Sequence, residues 1–415
     1  MNRLLAELRD ARKSRNLPDR VVAAGSTIAE QRAAIEVLML TGPTDGVRIY
    51  GFNTLLGQLD ELEAPPGFQP RLLDAHLIGR KVGASSDYLN TMTLVKLFQL
   101  SHGGSGISGT TYQKLVAASF AAQDGFGAFW DSYGSGDVVP AAWWIVSVLG
   151  ESAAYEFEAG DLIALMNGNF VSTAAAVILL DEIIDVSAHI VARAAMRMGP
   201  PSPSTDNAVQ LALSALPRRD RVAGVQLPVS ARDLGPIVDA VTEAIHGLGR
   251  ALERRLSGPS ANPLFRFDSG RARAYSQNSF LDVRLTMALS NTATGLGFAL
   301  AAFQRHIELI SAEQLASDPQ YLEMVQPPKV AQAILQEALR SAGMPVLVSI
   351  VESAGVEDLA DGSLAAAQNV GRLVERANDL LALDDLVLPV TLAPSREVVE
   401  AVGLALVEIA LGSHR

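Results

Sequence analysis

The chain has no cysteine, which removes disulfides, thiolate metal sites and thiol nucleophiles from the chemistry open to it. That absence fits a reducing compartment, and a cytoplasmic location is the expectation it carries. Histidine is scarce too, six in 415 residues, and none stands at metal-ligand spacing. His102 and His189 therefore read as local hydrogen-bonding residues. Cations are outnumbered, 33 Lys and Arg against 45 Asp and Glu for a formal net charge of −12. Nucleic acid and anionic membranes need clustered positive charge, and only Arg218, Arg219 and Arg221 form a local basic knot. The most apolar runs, 138–149 and 170–180, stop at Gly150-Glu151 and Asp181-Glu182 and read as buried helices too short for a bilayer. The first residues mix charge with leucine and lack a signal-peptide core, so secretion is not expected. There is no internal repeat, low-complexity tract or long flexible linker.

What is present is 49% hydrophobic content arranged with helical period. In 233–256 the residues Leu234, Ile237, Val238, Val241, Ile245, Leu248 and Leu252 trace one face at steps of three and four. From 167 to 198 there is no proline or glycine after Gly168, Arg193 and Arg197 stand near the end, and Gly199-Pro200-Pro201 stops the run. This spacing predicts a long central helix. Similar patterns occupy 28–40, 87–100, 280–310, 328–342, 363–383 and 396–411. The best strand-like alternation is 46–52, and loops are expected at 64–67, 199–205, 257–260, 268–276 and 326–328. The fold class is mostly α.

Gly134-Ser135-Gly136 runs through Asp137, placed where a helix start favours an acid, into the apolar segment from Val138. Alone the tripeptide reads as a turn. It lacks the G-x-S-x-G elbow of a serine hydrolase. Gly104-Ser105-Gly106-Ile107-Ser108-Gly109 fits the dinucleotide glycine pattern formally, yet the preceding 94–100 reads as helix where that motif needs a strand.

Several segments in one order change the weight of these signals. Tyr50-Gly51-Phe52-Asn53-Thr54, Ser101-His102-Gly103-Gly104-Ser105-Gly106-Ile107, Gly134-Ser135-Gly136-Asp137-Val138-Val139-Pro140, Leu165-Met166-Asn167-Gly168, Val225-Gln226-Leu227-Pro228-Val229-Ser230-Ala231-Arg232, Ala261-Asn262-Pro263-Leu264, Ser279-Phe280 and Val356-Glu357-Asp358 follow one another. In this order the chain resembles the histidine and phenylalanine ammonia-lyase family, as a divergent member. The resemblance implies a long central helix bundle of the ammonia-lyase/fumarase type with a small, loop-rich N-terminal active-site region. It divides one integrated catalytic body into 1–160, which carries the tripeptide, and 161–415, the long-helix bundle. It also implies a homotetramer with shared sites and a 4-methylidene-imidazol-5-one formed autocatalytically from Gly134, Ser135 and Gly136.

By that resemblance Tyr50 is the general acid or base, a role that calls for a lowered phenol pKa, Ser135 the electrophile's source and Glu357 the acid at the amine. Asn167 and Gln226 hold the ring, while Arg232, Phe280 and Asn53 meet the substrate. Each has a plainer reading beside it: Tyr50 as a turn aromatic, Arg232 as a surface cation, Asn167 and Gln226 as caps, Glu357 as a solvated acid, Phe280 as core. The chain departs from the family at Leu55-Leu56-Gly57, at Val229, where a second tyrosine is missing, and at Arg80-Lys81. Those two cations either point to solvent or select a polar or anionic substrate tail. The expected activity is an ammonia-lyase or aminomutase acting on an amino acid. The alternative is a relative that never forms the ring and binds a carboxylate ligand, or does acid/base chemistry, in the same pocket.

Overall fold

The computed structural model describes residues 2–41, 47–79, 82–126, 136–199, 208–214, 216, 226–318, 320, 322–343, 353–387 and 393–412. Among them are the helices α1 (Arg3–Ser14), α2 (Asp19–Thr41), α3 (Phe68–His76), α4 (Ser86–Leu100), α5 (Gly109–Ala118), α6 (Val138–Leu149), α7 (Asp161–Met166), α8 (Phe170–Met198), α9 (Ala208–Leu213), α10 (Gly235–Leu256), α11 (Val283–Ser317), α12 (Pro327–Ala342), α13 (Ser363–Val387) and α14 (Arg396–Ala410). Two short antiparallel pairs complete the set, β1 (Gly83–Ala84) with β2 (Gly125–Phe126) and β3 (Leu264–Asp268) with β4 (Arg271–Tyr275).

The bundle follows from where apolar side chains recur. α10 buries Val238, Val241, Ile245, Leu248 and Leu252, the face its spacing predicts, and carries Arg254 and Arg255 in its last turn. α4 is buried at every position from Tyr88 to Leu100, as expected of a helix surrounded by others. α11 packs on α10, α12 and α13, and α8 packs on α4, α13 and α14. One continuous hydrophobic core reaches from Leu5 to Ala410. Asp161–Arg197 and Val283–Ser317 are long and apolar enough to cross a membrane, and 94% and 67% of their apolar windows lie buried inside the protein. Both serve as core.

Inside that core α8 and α13 are also joined by charge. Arg197, 2% exposed, donates to both Asp384 oxygens at 2.6 and 2.5 Å, and Arg193 reaches Asp384 at 2.8 Å.

Three local expectations give way. Pro327 and Pro328, expected in a loop, open α12 instead, where a proline's missing N–H costs no helix bond. Residues 47–53 form a turn where a strand was expected, because the Asn53 side chain accepts from Ile49 N at 2.7 Å and donates to Val47 O at 2.8 Å, closing the backbone on itself; Gly46 lies outside the described residues. The loop expected at 268–276 is instead the β3–β4 hairpin, turned by Ser269 (φ 50°) and Gly270 (φ 75°), which matches the twist of the strands. Asp137 does stand at the start of α6, but in a left-handed conformation (φ 54°) and with no capping hydrogen bond from its side chain.

The small α7 is held with unusual firmness. The buried Asp161 carboxylate accepts from Ser108 N (2.7 Å), Ser108 Oγ (2.8 Å), Thr111 Oγ1 (2.6 Å) and Glu158 N (3.0 Å), tying α7 to the start of α5. Hydrogen bonds to a charged group contribute about 1.5–3 kcal/mol each, and their stranded donors cost more when buried. Asp161→Ala is expected to destabilise the protein by at least about 3 kcal/mol, read as a fall in the urea midpoint; an unchanged midpoint would show the carboxylate to be dispensable.

Candidate active site

The loop carrying Tyr50 is seated on α7. At Gly51 the backbone is left-handed (φ 71°), and a Cβ there would lie 2.9 Å from the Ile163 side chain. Only glycine allows this approach. Phe52 packs edge-on against Phe265 at 5.1 Å. Beneath it Gly106 (φ 77°) leaves no space, since a Cβ would come within 2.5 Å of Phe52 and 2.6 Å of Phe265. The Ser101–Ile107 motif is thus a support: the Gly106 carbonyl accepts from Arg32 at 2.8 Å and the Gly104 carbonyl from Phe265 N at 2.8 Å. Its glycines follow a helix, as the sequence reading required in setting the dinucleotide pattern aside.

Tyr50 is half-buried and its phenol oxygen accepts from Gly57 N at 3.1 Å. Burial raises its pKa above the ordinary value, the Gly57 bond opposes this, and Glu357 and Asp60 raise it further. A lowered phenol pKa was expected, and the single chain holds it raised. Glu357 is nonetheless within electrostatic reach of Tyr50, since the turn Ser353–Gly355 packs on Gly57–Leu59. A cleft of about 240 Å³ opens beside the phenol, lined by Tyr50, Thr54, Glu61, Pro263 and Tyr275 among others. Asn53 uses one amide N–H and its carbonyl oxygen on its own loop, which positions Tyr50.

Asn167 ends α7. Its N–H donates to Ile163 O at 2.9 Å and its Nδ2 to Asn262 O at 3.2 Å. A Cβ placed on Gly136 would lie 3.4 Å from Asn167 Oδ1 and 3.5 Å from the Phe280 ring. Three residues from three separate motifs therefore meet at one point. Ala261 N donates to Ser279 Oγ at 3.1 Å, which brings the Asn262 turn against the Phe280 turn. Gly134, Ser135, Arg80 and Lys81 lie outside the described residues. The flanks of the Arg80-Lys81 pair are fixed, however: Leu77 and Val82 pack on Val139 and Trp143, and Trp143 Nε1 donates to Ile78 O at 3.1 Å.

Arg232 and Gln226 are elsewhere. Both are exposed, and the Arg232 Nε donates to Leu227 O at 2.8 Å with no ion pair among the described residues. They precede α10, while Asn262 and Phe280 follow it. Its 22 residues separate the two groups by roughly 33 Å. One chain does not bring Arg232 to Asn167. Val229 is exposed to 76%. Sequence reasoning missed Lys96, fully buried on α4 with its Nζ 2.9 Å from Asn167 O; one lysine in an apolar helix gives no spacing signal.

No family model matches the sequence. Solved structures do match the chain along nearly its whole length. The phenylalanine aminomutase of Pantoea agglomerans superposes with a TM-score of 0.72 at 17% identity, covering 92% of this chain and 87% of its own. The tyrosine aminomutase of Streptomyces globisporus gives 0.71 at 16%, covering 99% and 95%. The histidine ammonia-lyase of Trypanosoma cruzi gives 0.68 at 18%, covering 96% and 89%. The chain has the ammonia-lyase and aminomutase fold. Within this fold the Tyr50, Asn167 and Phe280 groups stand at one end of α10, and the Arg232 loop stands at the other.

That loop is anchored from below. His306, fully buried on α11, contacts Ser230 O through Nε2 at 3.1 Å, so Nε2–H donates. Desolvation first, and the nearby Arg197 charge, lower its pKa to about 4, against the Ser230 bond that raises it. An unfolded chain takes up this proton below about 6.5, whereas the folded chain refuses it until about 4. Stability is therefore lost as pH falls from 6.5 towards 4, by about 3 kcal/mol from this group. His306→Gln is expected to flatten that part of the pH dependence of the urea midpoint; an unaltered slope would show that other groups set it.

Proposed function

We propose that the protein is an ammonia-lyase or aminomutase acting on an amino acid through a methylidene-imidazolone built from Gly134, Ser135 and Gly136. The observation that carries this reading is the meeting of Gly136 with Asn167 and Phe280 at the end of α7, in an ammonia-lyase and aminomutase fold and in a chain whose motifs keep the family's order. The residues fit the group. Gly136 is left-handed (φ 87°), which an L side chain resists, and its neighbours there are an amide oxygen and an aromatic ring. Ring closure joins the Gly136 nitrogen to the Gly134 carbonyl carbon, and two waters leave, one carrying the carbonyl oxygen and one the Ser135 hydroxyl. The ring supplies an electrophilic methylidene carbon.

The remaining work falls to side chains. Arg232 grips the substrate carboxylate through its planar fork. Tyr50 moves the proton β to that carboxylate. Its raised pKa in the single chain calls for a cation nearby to lower it, and the Arg232 that a second copy brings to the site supplies one. Glu357 accepts from the amine, Asn167 and Gln226 hydrogen-bond the ring, and Phe280 walls the pocket. Arg80 and Lys81 favour a polar or anionic substrate tail. Support for that role is the anchoring of Leu77, Ile78 and Val82 on the first turns of α6, which begins directly after Gly136-Asp137. Since α10, roughly 33 Å long, stands between Arg232 and Gln226 at one end and Asn167 at the other, a second copy must deliver its own Arg232 and Gln226 to each site, and we infer a homotetramer with shared sites.

A second reading, a relative without the ring that binds a carboxylate ligand, draws on Val229 in place of a phenol. Intact mass separates the two. The parent is expected to weigh two waters less than its sequence, and Ser135→Ala to show no deficit; an unmodified parent would sink the lyase reading and leave ligand binding around Tyr50. Sharing has its own test. Arg232→Ala chains, slower by on the order of 100-fold, and Ser135→Ala chains, which lack the ring, are expected to regain ammonia release or amino-group shift when co-expressed. Failure of mixed assemblies to regain it would place Arg232 and Ser135 in one chain's site.

A further inference from the structure

Lys96 is a poor choice for stability. Its ammonium is fully buried, and among the described residues no carboxylate lies within ion-pair distance. Its contacts are the Asn167 carbonyl at 2.9 Å and the face of Phe170, 4.8 Å from the ring centre. One carbonyl bond and one cation–π contact do not offset the loss of hydration of a buried cation. Accordingly, burial lowers its pKa to about 7. A methionine of similar length would fill the same space without that cost. Costs of this kind concentrate where a site needs them.

The need lies at the turn between α7 and α8. Gly168 (φ 143°) brings its backbone so close that a Cβ would stand 3.0 Å from Ser260 O and 3.4 Å from Lys96 Nζ. The Asn167–Gly168 peptide is thereby clamped between α4 and the 260 turn. Asn167 uses its N–H on Ile163, its Nδ2 on Asn262 and its carbonyl on Lys96, which leaves Oδ1 directed at Gly136. Without Lys96 the Asn167 carbonyl has no partner in a dry interior, and the peptide must rotate to find one.

We propose that Lys96 is a positioning residue: its Nζ–H fixes the Asn167 carbonyl so that the Asn167 side-chain amide is presented to Gly136. Only the consequence for ring closure rests on the ammonia-lyase reading. The position of Asn167 does not.

Lys96→Met and Lys96→Gln chains, compared with the parent by crystal structure, urea unfolding and intact mass, test this. The methionine chain is expected to be at least as stable as the parent. In it Asn167 Oδ1 moves away from Gly136 by about 1 Å or more, and the two-water loss slows roughly tenfold or more. The glutamine chain, which keeps an N–H donor, recovers part of both. A purely structural lysine would instead lower stability and leave Asn167 in place, and that result overturns the proposal. Should the methionine chain not fold, the glutamine chain decides on the same Asn167 displacement. A parent without the mass deficit removes the lyase reading, while Asn167's position in the variants still settles the role of Lys96.

Discussion

The carboxylate of Asp161 is the constraint on which the site's geometry rests. Four donors converge on it, and through the three from Ser108 and Thr111 a six-residue helix too short to be stable by itself is locked to α5. The tyrosine loop and the amide proposed to matter both hang from that helix. Its Ile163 is the floor on which Gly51 turns and so sets Tyr50. Its last turn delivers Asn167 to Gly136. Gly160, immediately before it, is left-handed and in contact with Phe52, so the same helix fixes both the tyrosine loop and the amide. Rigid support of this kind is what acid/base chemistry requires, since reacting groups must hold their places before the substrate arrives.

Much of the fold is legible in the sequence because long helices repeat their apolar residues often enough to be unmistakable. The expected 328–342, 363–383 and 396–411 segments lie within one to four residues of α12, α13 and α14. Two helices are longer than expected, α2 beginning nine residues before 28 and α11 running seven past 310, and the errors of kind are short and local. In 47–52 alternation of apolar residues imitated a strand, whereas the deciding side chain was Asn53, whose two hydrogen bonds turn the backbone. In 271–275 the pattern Arg-Ala-Arg-Ala-Tyr does alternate, with Ala272 buried, but alanine carries too little apolar surface to announce an inward face beside the polar turn of Ser269 and Gly270.

The site is legible in a different way. No single motif there has a strong physical signature; their order along the chain does, and the structure brings Gly136, Asn167 and Phe280 together from three of them. Three things were hidden. A lysine with no periodic partner gave no sign that it would lie beneath Asn167. The tyrosine's raised pKa depends on burial, which only packing decides. The separation of Arg232 from Asn167 depends on α10 standing between them, a fact about direction in space that motif order does not contain.

The burial of α8 also has a consequence for synthesis. Its apolar stretch is membrane-length in composition, and two of the helices that cover it, α13 and α14, are the last in the chain. At ribosomal rates the interval between the end of α8 and the completion of α14, about 200 residues, lasts roughly 10–40 s. For that time the nascent chain exposes a segment that insertion machinery and aggregation would both favour, with α4 alone of its main partners already made. During that interval the segment's protection has to come from outside the bundle that later buries it.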